Sequence, residues 1–509
     1  MGALVGWAAM AGCGNTTDPS LDAPDTQTLN TLLKEAHVGD TIRLTGQSYT
    51  GPLVIPPGVT LDGRGEARVF SRGSSNEPAA PALQIEGGPR DQPTTVVGLQ
   101  IESEGLAVLV SGPGSLVMDS VTIETQAVGG MFVEDLDVLT LNAVTLTGSV
   151  TEDDLGLLTQ TNLDPVQFPV AGVVVARVAE VSWSAVNIAQ FAGFGAVFKD
   201  SSGRWDGGGV SRWVGTGVLV EGGELTTTAL QLSDTLSSSE LTVKPNAIAA
   251  TADCRLTTQS VVVSNIRDGI GLLQDNAFTT HTDLTVLGAG RAGLWIQNSG
   301  TATQLALTLT SSDDNPDGNV IENGQGIGIY MNNIQGVSLQ NLRVANTQER
   351  PLLRNNQPEQ VADGLQMIGI SGAIQLSEVN LSGNARVGAL LDGSAGDGDE
   401  APTFDLNQVQ IEGGMLSPML LSQAYGVIIQ NNSGGQIDET AIVGENGFRV
   451  TSDTLENRDE EARSTNLTLE LPSPLRVSSF GALVGDGDLN STLSSGTIDG
   501  ISIVGENGF

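Results

Sequence analysis

The sequence predicts an all-β chain: a single-stranded, right-handed parallel β-helix, or solenoid, of about thirteen or more coils. Two observations lead to this fold class. First, the composition favours strands and turns over helices, because glycine is abundant (65 of 509 residues) and aromatic residues make up only 4%. Second, one apolar pattern recurs along nearly the whole chain. A repeated unit of this kind stacks into one elongated body.

The repeated pattern is Φ-x-Φ-x-x-Φ-x-Φ, where Φ is usually apolar; one copy is Leu139-x-Leu141-x-x-Val144-x-Leu146. Alternation on both sides of a two-residue interruption predicts two short strands joined by a tight corner. Several copies follow each other after 22 or 23 residues (99 to 121, 121 to 144), and longer steps fit one coil plus a loop. The third slot falls at residues 99, 121, 144, 186, 208, 230, 261, 284, 307, 342, 379, 409 and 501.

A third strand, which begins with glycine, precedes many of these copies. Three strands and their turns make one triangular coil, and stacked coils bury an apolar column that no single coil could bury alone. The glycines stand at positions 130, 172, 217, 293, 364 and 426.

These motifs resemble the pectin-lyase-like superfamily of right-handed parallel β-helix proteins. The superfamily repeat, Φ-x-Asn followed by Gly-Φ, is matched by residues 263–265 before Gly269 and by residues 321–323 before Gly326. The resemblance also implies a capping helix over residues 29–36, which would protect the unpaired edge of the first coil. It implies the fold and leaves the activity open, because one fold hosts many functions.

The predicted organisation has three parts: a signal segment at 1–13, a polar tether at 14–26, and the β-helix at 27–509. Loops inserted between coils are expected at 148–170, 345–362 and 451–466.

The first residues resemble a bacterial lipoprotein signal, with Met10-Ala-Gly-Cys13 as its lipobox. The resemblance implies export, lipidation of Cys13, and a location at the outer membrane or cell surface, anchored in the membrane only through the lipid. Two features depart from the pattern: Met10 replaces the usual leucine, and no basic residue precedes the apolar run. A short buried strand with an incidental cysteine is the alternative.

The net charge of −37, from 59 acidic and 22 basic residues, argues against a nucleic-acid partner because such a surface repels phosphate. Histidine catalysis has no good candidate either. His281 occupies an inward slot, and His37 follows the predicted capping helix. Cys254 is the only cysteine besides Cys13, and we expect it to be a buried apolar side chain.

Carboxylates are the candidates for catalysis, since the resemblance implies hydrolases that use acidic pairs, or lyases that use Ca²⁺-binding acids with an arginine or lysine base. Asp313 and Asp314 match one hydrolase motif, whereas the Gly-His-Gly and Arg-Ile-Lys motifs are missing. Asp268 and Asp363 each precede a glycine that opens a strand. Turn formation is the alternative for all four.

A calcium ion is the one cofactor that the sequence suggests, since aspartates follow one another at the spacing of oxygen ligands in two loops. One loop contains Asp313, Asp314 and Asp317, and the other contains Asp486 and Asp488. Plain turn chemistry is the alternative in each.

The glycine-opened strand exposes an apolar stripe, in which Phe132, Trp295 and Tyr330 are the expected ligand-binding residues. Loops folding over the stripe are the alternative. The missing catalytic motifs favour a non-catalytic surface lipoprotein that presents a rigid face to a polysaccharide or another surface molecule. A polysaccharide lyase, hydrolase or epimerase remains the second hypothesis.

Overall fold

The structure is a computed structural model. It describes residues 21–73, 79–155, 169–237, 244–315, 317–354, 357–385, 387–393 and 402–413, together with the short backbone strands beyond residue 413 given below. The predicted signal segment with Cys13 lies outside the described residues, and so do Asp486 and Asp488.

Parallel strands form three long faces, called A, B and C in the order in which each coil passes through them. Face A contains Leu53–Ile55, Leu83–Glu86, Leu106–Ser111, Val128–Glu134, Pro169–Ala176, Phe194–Lys199, Thr216–Glu221, Asn246–Thr251, Ile270–Asp275, Ala292–Ser299, Val387–Asp392, Tyr425–Gln430, Phe448–Thr451 and Ala482–Val484. Face B contains Leu21–Ala23, Thr41–Leu44, Ser115–Asp119, Val138–Asn142, Glu224–Thr228, Arg255–Gln259, Phe278–Thr282, Leu307–Thr310, Thr403–Asn407, Gly434–Asp438 and Thr497–Asp499. Face C contains Ser48–Thr50, Thr122–Thr125, Thr145–Thr147, Gln231–Ser233, Val262–Ser264, Thr285–Leu287, Asn319–Glu322, Gln410–Gly413, Ala441–Gly444 and Ser502–Val504.

Some strands continue around a corner without a break. Those that run from face B into face C are Thr60–Ser71, Thr94–Ser103, Glu180–Ala189 and Ser202–Ser211. Gly326–Ala345 and the parallel-paired part of Gln357–Asn384 pass through all three faces. The strand Arg350–Arg354 pairs antiparallel with the first residues of Gln357–Asn384 and forms a hairpin outside the coil. The parallel β-helix predicted from the sequence is confirmed.

The interior of the coils is one apolar column, as the pattern predicts. On face B, Leu141 pairs with Trp183, which pairs with Trp205 in the next coil, and all three are fully buried. The rings of Trp183 and Trp205 meet edge to face with centroids 5.0 Å apart. One cluster of buried side chains runs from Ala23 to Ile411. Each large apolar side chain in it contributes roughly 1.5–3 kcal/mol by leaving water.

The corner between faces B and C turns on one residue with left-handed backbone. This conformation costs a residue with a Cβ about 1–2 kcal/mol, and alanine or serine rarely adopts it. Stacking holds it in place: the amide of Ala143 donates to the carbonyl oxygen of Ser184 in the next coil at 2.9 Å. The residues in this position, with φ between +47° and +67°, are Gly98, Ser120, Ala143, Ala185, Gly207, Ala229, Ser260, Asp283, Asn341, Glu378 and Gln408.

Most of the residues that open face A are glycines that stand above one another in a column; Ala247 takes this place in one coil, but at Gly195 a side chain does not fit. A Cβ on Gly195 would lie 2.5 Å from the carbonyl oxygen of Gly217 in the next coil and 2.4 Å from Cγ1 of Val210 on face C. The same contact with the next carbonyl oxygen, at 2.5 to 2.6 Å, recurs at Gly130, Gly172, Gly217, Gly271, Gly293, Gly328 and Gly364.

One helix, Thr26–Glu35, lies at the start of the solenoid, three residues earlier than the sequence predicts. Asp25 caps it by accepting a hydrogen bond from the amide of Thr28 at 2.8 Å. Its buried residues Leu29 and Leu33 join the apolar column, and it contacts strands of all three faces. None of the described helices has the length and apolar character needed to cross a membrane.

One predicted register is wrong. The pattern places Leu307 in the third slot, but Leu307 pairs with Thr279 and Val337 on face B. The third slot of this coil is Asn319, which pairs with Leu342 on face C. Because this slot holds a polar residue, the apolar pattern does not identify it; residues 311–315 and 317–318 form a loop at the corner.

Candidate functional site

The outward side chains of face A form a ladder, called here the face-A ladder. Most of its members are half-buried, but Val197, Ala249, Gln366 and Leu390 are buried. The predicted apolar stripe is therefore only partly open to solvent. In register on consecutive coils, the ladder consists of Phe132, Val174, Val197, Leu219, Ala249, Leu273, Trp295, Tyr330, Gln366 and Leu390.

Two aromatic rings of this ladder are in contact. The ring centroids of Trp295 and Tyr330 lie 4.3 Å apart with an interplanar angle of 45°. The indole nitrogen of Trp295 donates to Oε1 of Gln297 at 3.0 Å, and Nε2 of Gln297 donates to Oδ2 of Asp275 at 3.0 Å. These bonds hold the indole on the surface with part of the ring still exposed. Such a ring offers an apolar plane with polar groups at its edge.

The next position of the ladder carries a polar group without a protein partner. Gln366 pairs with Tyr330 in the register and is only 2% exposed. Among the described residues, no acceptor lies within hydrogen-bonding distance of its Nε2. A buried amide donor left unpaired costs about 1–3 kcal/mol.

Three basic side chains, called here the cation cluster, lie at the edge of face A: Lys244, Arg291 and Arg350. Nζ of Lys244 lies 2.5 Å from Oδ2 of Asp268, and Arg350 forms an ion pair with Oδ1 of the same carboxylate. The guanidinium carbon of Arg291 lies 5.3 Å from the ring centroid of Trp295. The cluster therefore extends from Asp268 to the aromatic pair.

The electrostatics of the cluster are those of an anion site. Burial, and then the positive charges of Arg350 and Arg291, lower the pKa of Lys244. Within the described part of the chain, Asp268 is the carboxylate that forms ion pairs with both Lys244 and Arg350. Lys244 and Arg350 thus share one carboxylate, and Arg291 adds a third positive charge nearby, in a chain whose net charge is −37. An incoming carboxylate or sulfate would relieve this repulsion.

The two corner aspartates are not brought together. Asp363 is fully buried and stands in register with Ile270 through Ala292 and Ile327. Three coils therefore separate it from the corner of Asp268, roughly 14 Å at the usual strand spacing. Asp268 forms ion pairs within the cation cluster. Asp363 does not lie in a coil adjacent to Asp268.

The aspartate loop near residue 313 is organised by another carboxylate. Asp283 accepts hydrogen bonds from the amide and hydroxyl of Ser312, at 3.0 and 2.6 Å, and from Nδ2 of Asn315 at 3.0 Å. Asp313, Asp314 and Asp317 are exposed. Across the described ranges, no three His, Cys, Asp or Glu side chains are grouped so that they could hold a metal ion.

His281 and Cys254 lie in the interior, away from this surface. His281 is fully buried, as the register predicts, and its Nδ1 contacts the hydroxyl of Thr258 at 2.7 Å. Burial lowers the pKa of His281 to about 3 and raises that of Cys254 to about 11.

Sequence reasoning found the aromatic pair but missed Lys244 and Arg350. Both precede face-A strands in segments that carry no copy of the pattern. One signal was available: Lys244 is one of three lysines in the chain.

No protein-family model and no curated protein matches this chain. Among solved structures, it is similar to an alginate lyase from Paenibacillus sp., with 12% identity, a TM-score of 0.35, and coverage of 57% of this chain and 99% of the other. A mannuronic acid-specific polysaccharide family 6 lyase from human gut microbiota has 9% identity and a TM-score of 0.32 over 82% and 86% of the two chains. A tailspike protein of bacteriophage CBA120 has 10% identity and a TM-score of 0.33 over 94% and 58%. The candidate site is defined by its own residues and not by these similarities.

Proposed function

We propose that this protein is a non-catalytic polysaccharide-binding protein that holds an acidic glycan along face A. The observation that supports the proposal is the contact between Arg291 of the cation cluster and Trp295, which forms an aromatic pair with Tyr330; the other two cations of the cluster share the carboxylate of Asp268. A sugar ring stacks on the exposed indole, and its carboxylate or sulfate binds the guanidinium groups. Arginine suits this task because its fork of donors matches a planar carboxylate.

Binding is tested by isothermal titration calorimetry with uronic-acid hexasaccharides, in the full chain and in variants. Trp295→Ala and Arg291→Ala should each weaken binding about tenfold or more, because each removes a contact worth about 1–3 kcal/mol. Binding should also weaken as salt rises, since the cations supply part of the affinity. Unchanged affinity in both variants would refute the site.

Phe132→Ala is the matched control on the same face. Six coils separate Phe132 from Trp295 in the ladder, which is roughly 29 Å. The substitution should leave hexasaccharide binding at Trp295 unchanged and weaken only the binding of long chains that run along the ladder. If hexasaccharides lost affinity equally in Phe132→Ala, the site would not be local to the aromatic pair.

A lyase is the second candidate, and the lowered pKa of Lys244 favours it. In a β-elimination, the neutral amine takes the proton next to a uronate carboxylate that Arg291 and Arg350 neutralise. The electron pair forms the C=C bond, the glycosidic C–O bond at the adjacent carbon breaks with its electrons going to oxygen, and the leaving oxygen takes a proton from solvent to become the hydroxyl of the released chain end. Unsaturated uronate products from the wild type but not from Lys244→Gln would establish the lyase and refute the non-catalytic proposal.

The sequence pattern at Cys13 supports a further part of the proposal, a lipid anchor at the outer membrane or cell surface. Mass spectrometry of the mature protein tests it. An acylated N-terminal cysteine is expected, and an unmodified Cys13 or cleavage elsewhere would refute it.

A further inference from the structure

A groove of about 480 Å³ lies on face C in the N-terminal coils, on a different face of the solenoid from the aromatic pair. Its floor is an outward ladder in register on consecutive coils: Phe70, Glu102, Glu124 and Thr147. Ligand sites in proteins commonly have volumes of about 300–1,000 Å³, so the groove is large enough for a short oligomer.

Part of the lining is engaged in holding the groove together. Arg68 forms an ion pair with Glu102, and Glu104 accepts a hydrogen bond from the amide of Gly73 at 3.0 Å. Three hydroxyl groups of the lining donate to backbone carbonyl oxygens, and they belong to Ser71, Ser103 and Thr125.

Other lining groups have no such role. Among the described residues, the exposed carboxylate of Glu124 has neither a hydrogen-bond nor an ion-pair partner, although it stands in the middle of the floor. The guanidinium carbon of Arg72 lies 5.5 Å from the ring centroid of Phe70, without a carboxylate partner in the same ranges. The amide of Gln126 and the hydroxyl of Thr147 also line the groove. These groups offer both donors and acceptors to a ligand.

We propose that this groove is a second glycan site, which binds a short segment of neutral saccharide. Sugar hydroxyls both donate and accept hydrogen bonds, and they match a carboxylate, a guanidinium, an amide and a hydroxyl in one groove. The carboxylate or sulfate groups of an acidic glycan offer only acceptors. Three glutamates line the groove (Glu102, Glu104 and Glu124) against two arginines (Arg68 and Arg72), so its charge disfavours acidic chains. The groove and the cation cluster thus select glycans of different charge.

Saturation-transfer NMR and calorimetry on the full chain test the proposal, with cellohexaose, maltohexaose and mannohexaose as neutral probes and a uronic-acid hexasaccharide as the acidic one. At least one neutral probe should bind, and Glu124→Ala and Arg72→Ala should each weaken its binding about tenfold or more. Glu224→Ala is the matched control, since this carboxylate is exposed and lies on face B. It should leave the affinity unchanged.

The proposals for the two sites can be refuted independently of each other. Trp295→Ala should leave neutral binding intact, and Glu124→Ala should leave uronate binding intact. The second site is overturned if none of the three neutral probes binds at millimolar concentration, or if binding persists unchanged in both groove variants. It is also overturned if the groove variants weaken only the uronate probe. None of these results bears on face A, whose own variants decide the proposed function.

Discussion

Replacing Gly195 with alanine tests whether coil stacking at this position sterically requires glycine. The new Cβ would lie 2.4 Å from Cγ1 of Val210 and 2.5 Å from the carbonyl oxygen of Gly217. Neither group moves easily, because Val210 is only 2% exposed and the carbonyl belongs to a paired strand. Overpacking costs roughly 1–3 kcal/mol, and the reduced entropy of the unfolded alanine variant offsets about 0.4–1 kcal/mol. We expect the free energy of unfolding to fall by about 2 kcal/mol, near the upper end of the range that these two effects allow.

Urea unfolding followed by tryptophan fluorescence measures this loss locally, because three fully buried tryptophans lie in the surrounding coils, at 183, 205 and 213. Gly207→Ala is the matched control. A Cβ at Gly207 would meet nothing within 4 Å, and Ala185 occupies the same corner of the preceding coil with φ +52°. The left-handed cost of about 1–2 kcal/mol is partly offset in the unfolded chain, which leaves about 1 kcal/mol or less. Wild-type stability of Gly195→Ala, or an equal loss in Gly207→Ala, would refute the steric account.

Three further predictions use the same stability assay or a simple labelling reaction. Burial lowers the pKa of His281 to about 3, so the unfolded chain takes up a proton between about pH 6.5 and 3 that the folded chain does not. Unfolding free energy should therefore fall on acidification by up to about 4 kcal/mol more in the wild type than in His281→Leu, and parallel pH profiles would contradict this. Ala185→Gly should be up to about 1 kcal/mol more stable than the wild type, because glycine removes the Cβ that disfavours the left-handed corner. A clear loss of stability in this variant would show that the corner is not strained. In a Cys13→Ser background, Cys254 should react with a thiol reagent only on unfolding, since burial raises its pKa to about 11, and rapid labelling of the folded protein would refute its burial.

The repeat predicted most of the fold because coil stacking imposes a strict alternation on the sequence. A residue in an inward slot must be accommodated in the apolar column, so the register alone placed His281 inside. The same reasoning failed at Leu307, since Asn319 fills an inward slot with a polar side chain and satisfies it locally. Its Oδ1 accepts a hydrogen bond from the amide of Leu284 at 2.9 Å. A pattern that scores only apolar residues cannot recognise such a slot.

The candidate site was predicted only where it lies on strands. Trp295 and Tyr330 occupy equivalent positions in consecutive coils, so the period alone places their rings side by side. Lys244 and Arg350 lie outside the copies of the pattern, and periodicity does not fix the path of such segments. Their meeting at Asp268 depends on a hairpin that pairs outside the coil.

The corners of the coil explain why the cation cluster lies beside face A. The corner between faces B and C is usually one left-handed residue whose amide donates to a carbonyl oxygen of the next coil, which leaves little room for a long insertion. At the corner where residues 311–315 and 317–318 form a loop, the amide of Asp283 still donates to the carbonyl oxygen of Thr310 at 3.3 Å, and its carboxylate accepts hydrogen bonds from Ser312 and Asn315. The corner between faces C and A accommodates the Arg350 hairpin while the parallel register of the strands on both sides continues. Side chains can therefore be added at the edge of face A at little cost to the solenoid, and the outward ladder beside them supplies the aromatic surface.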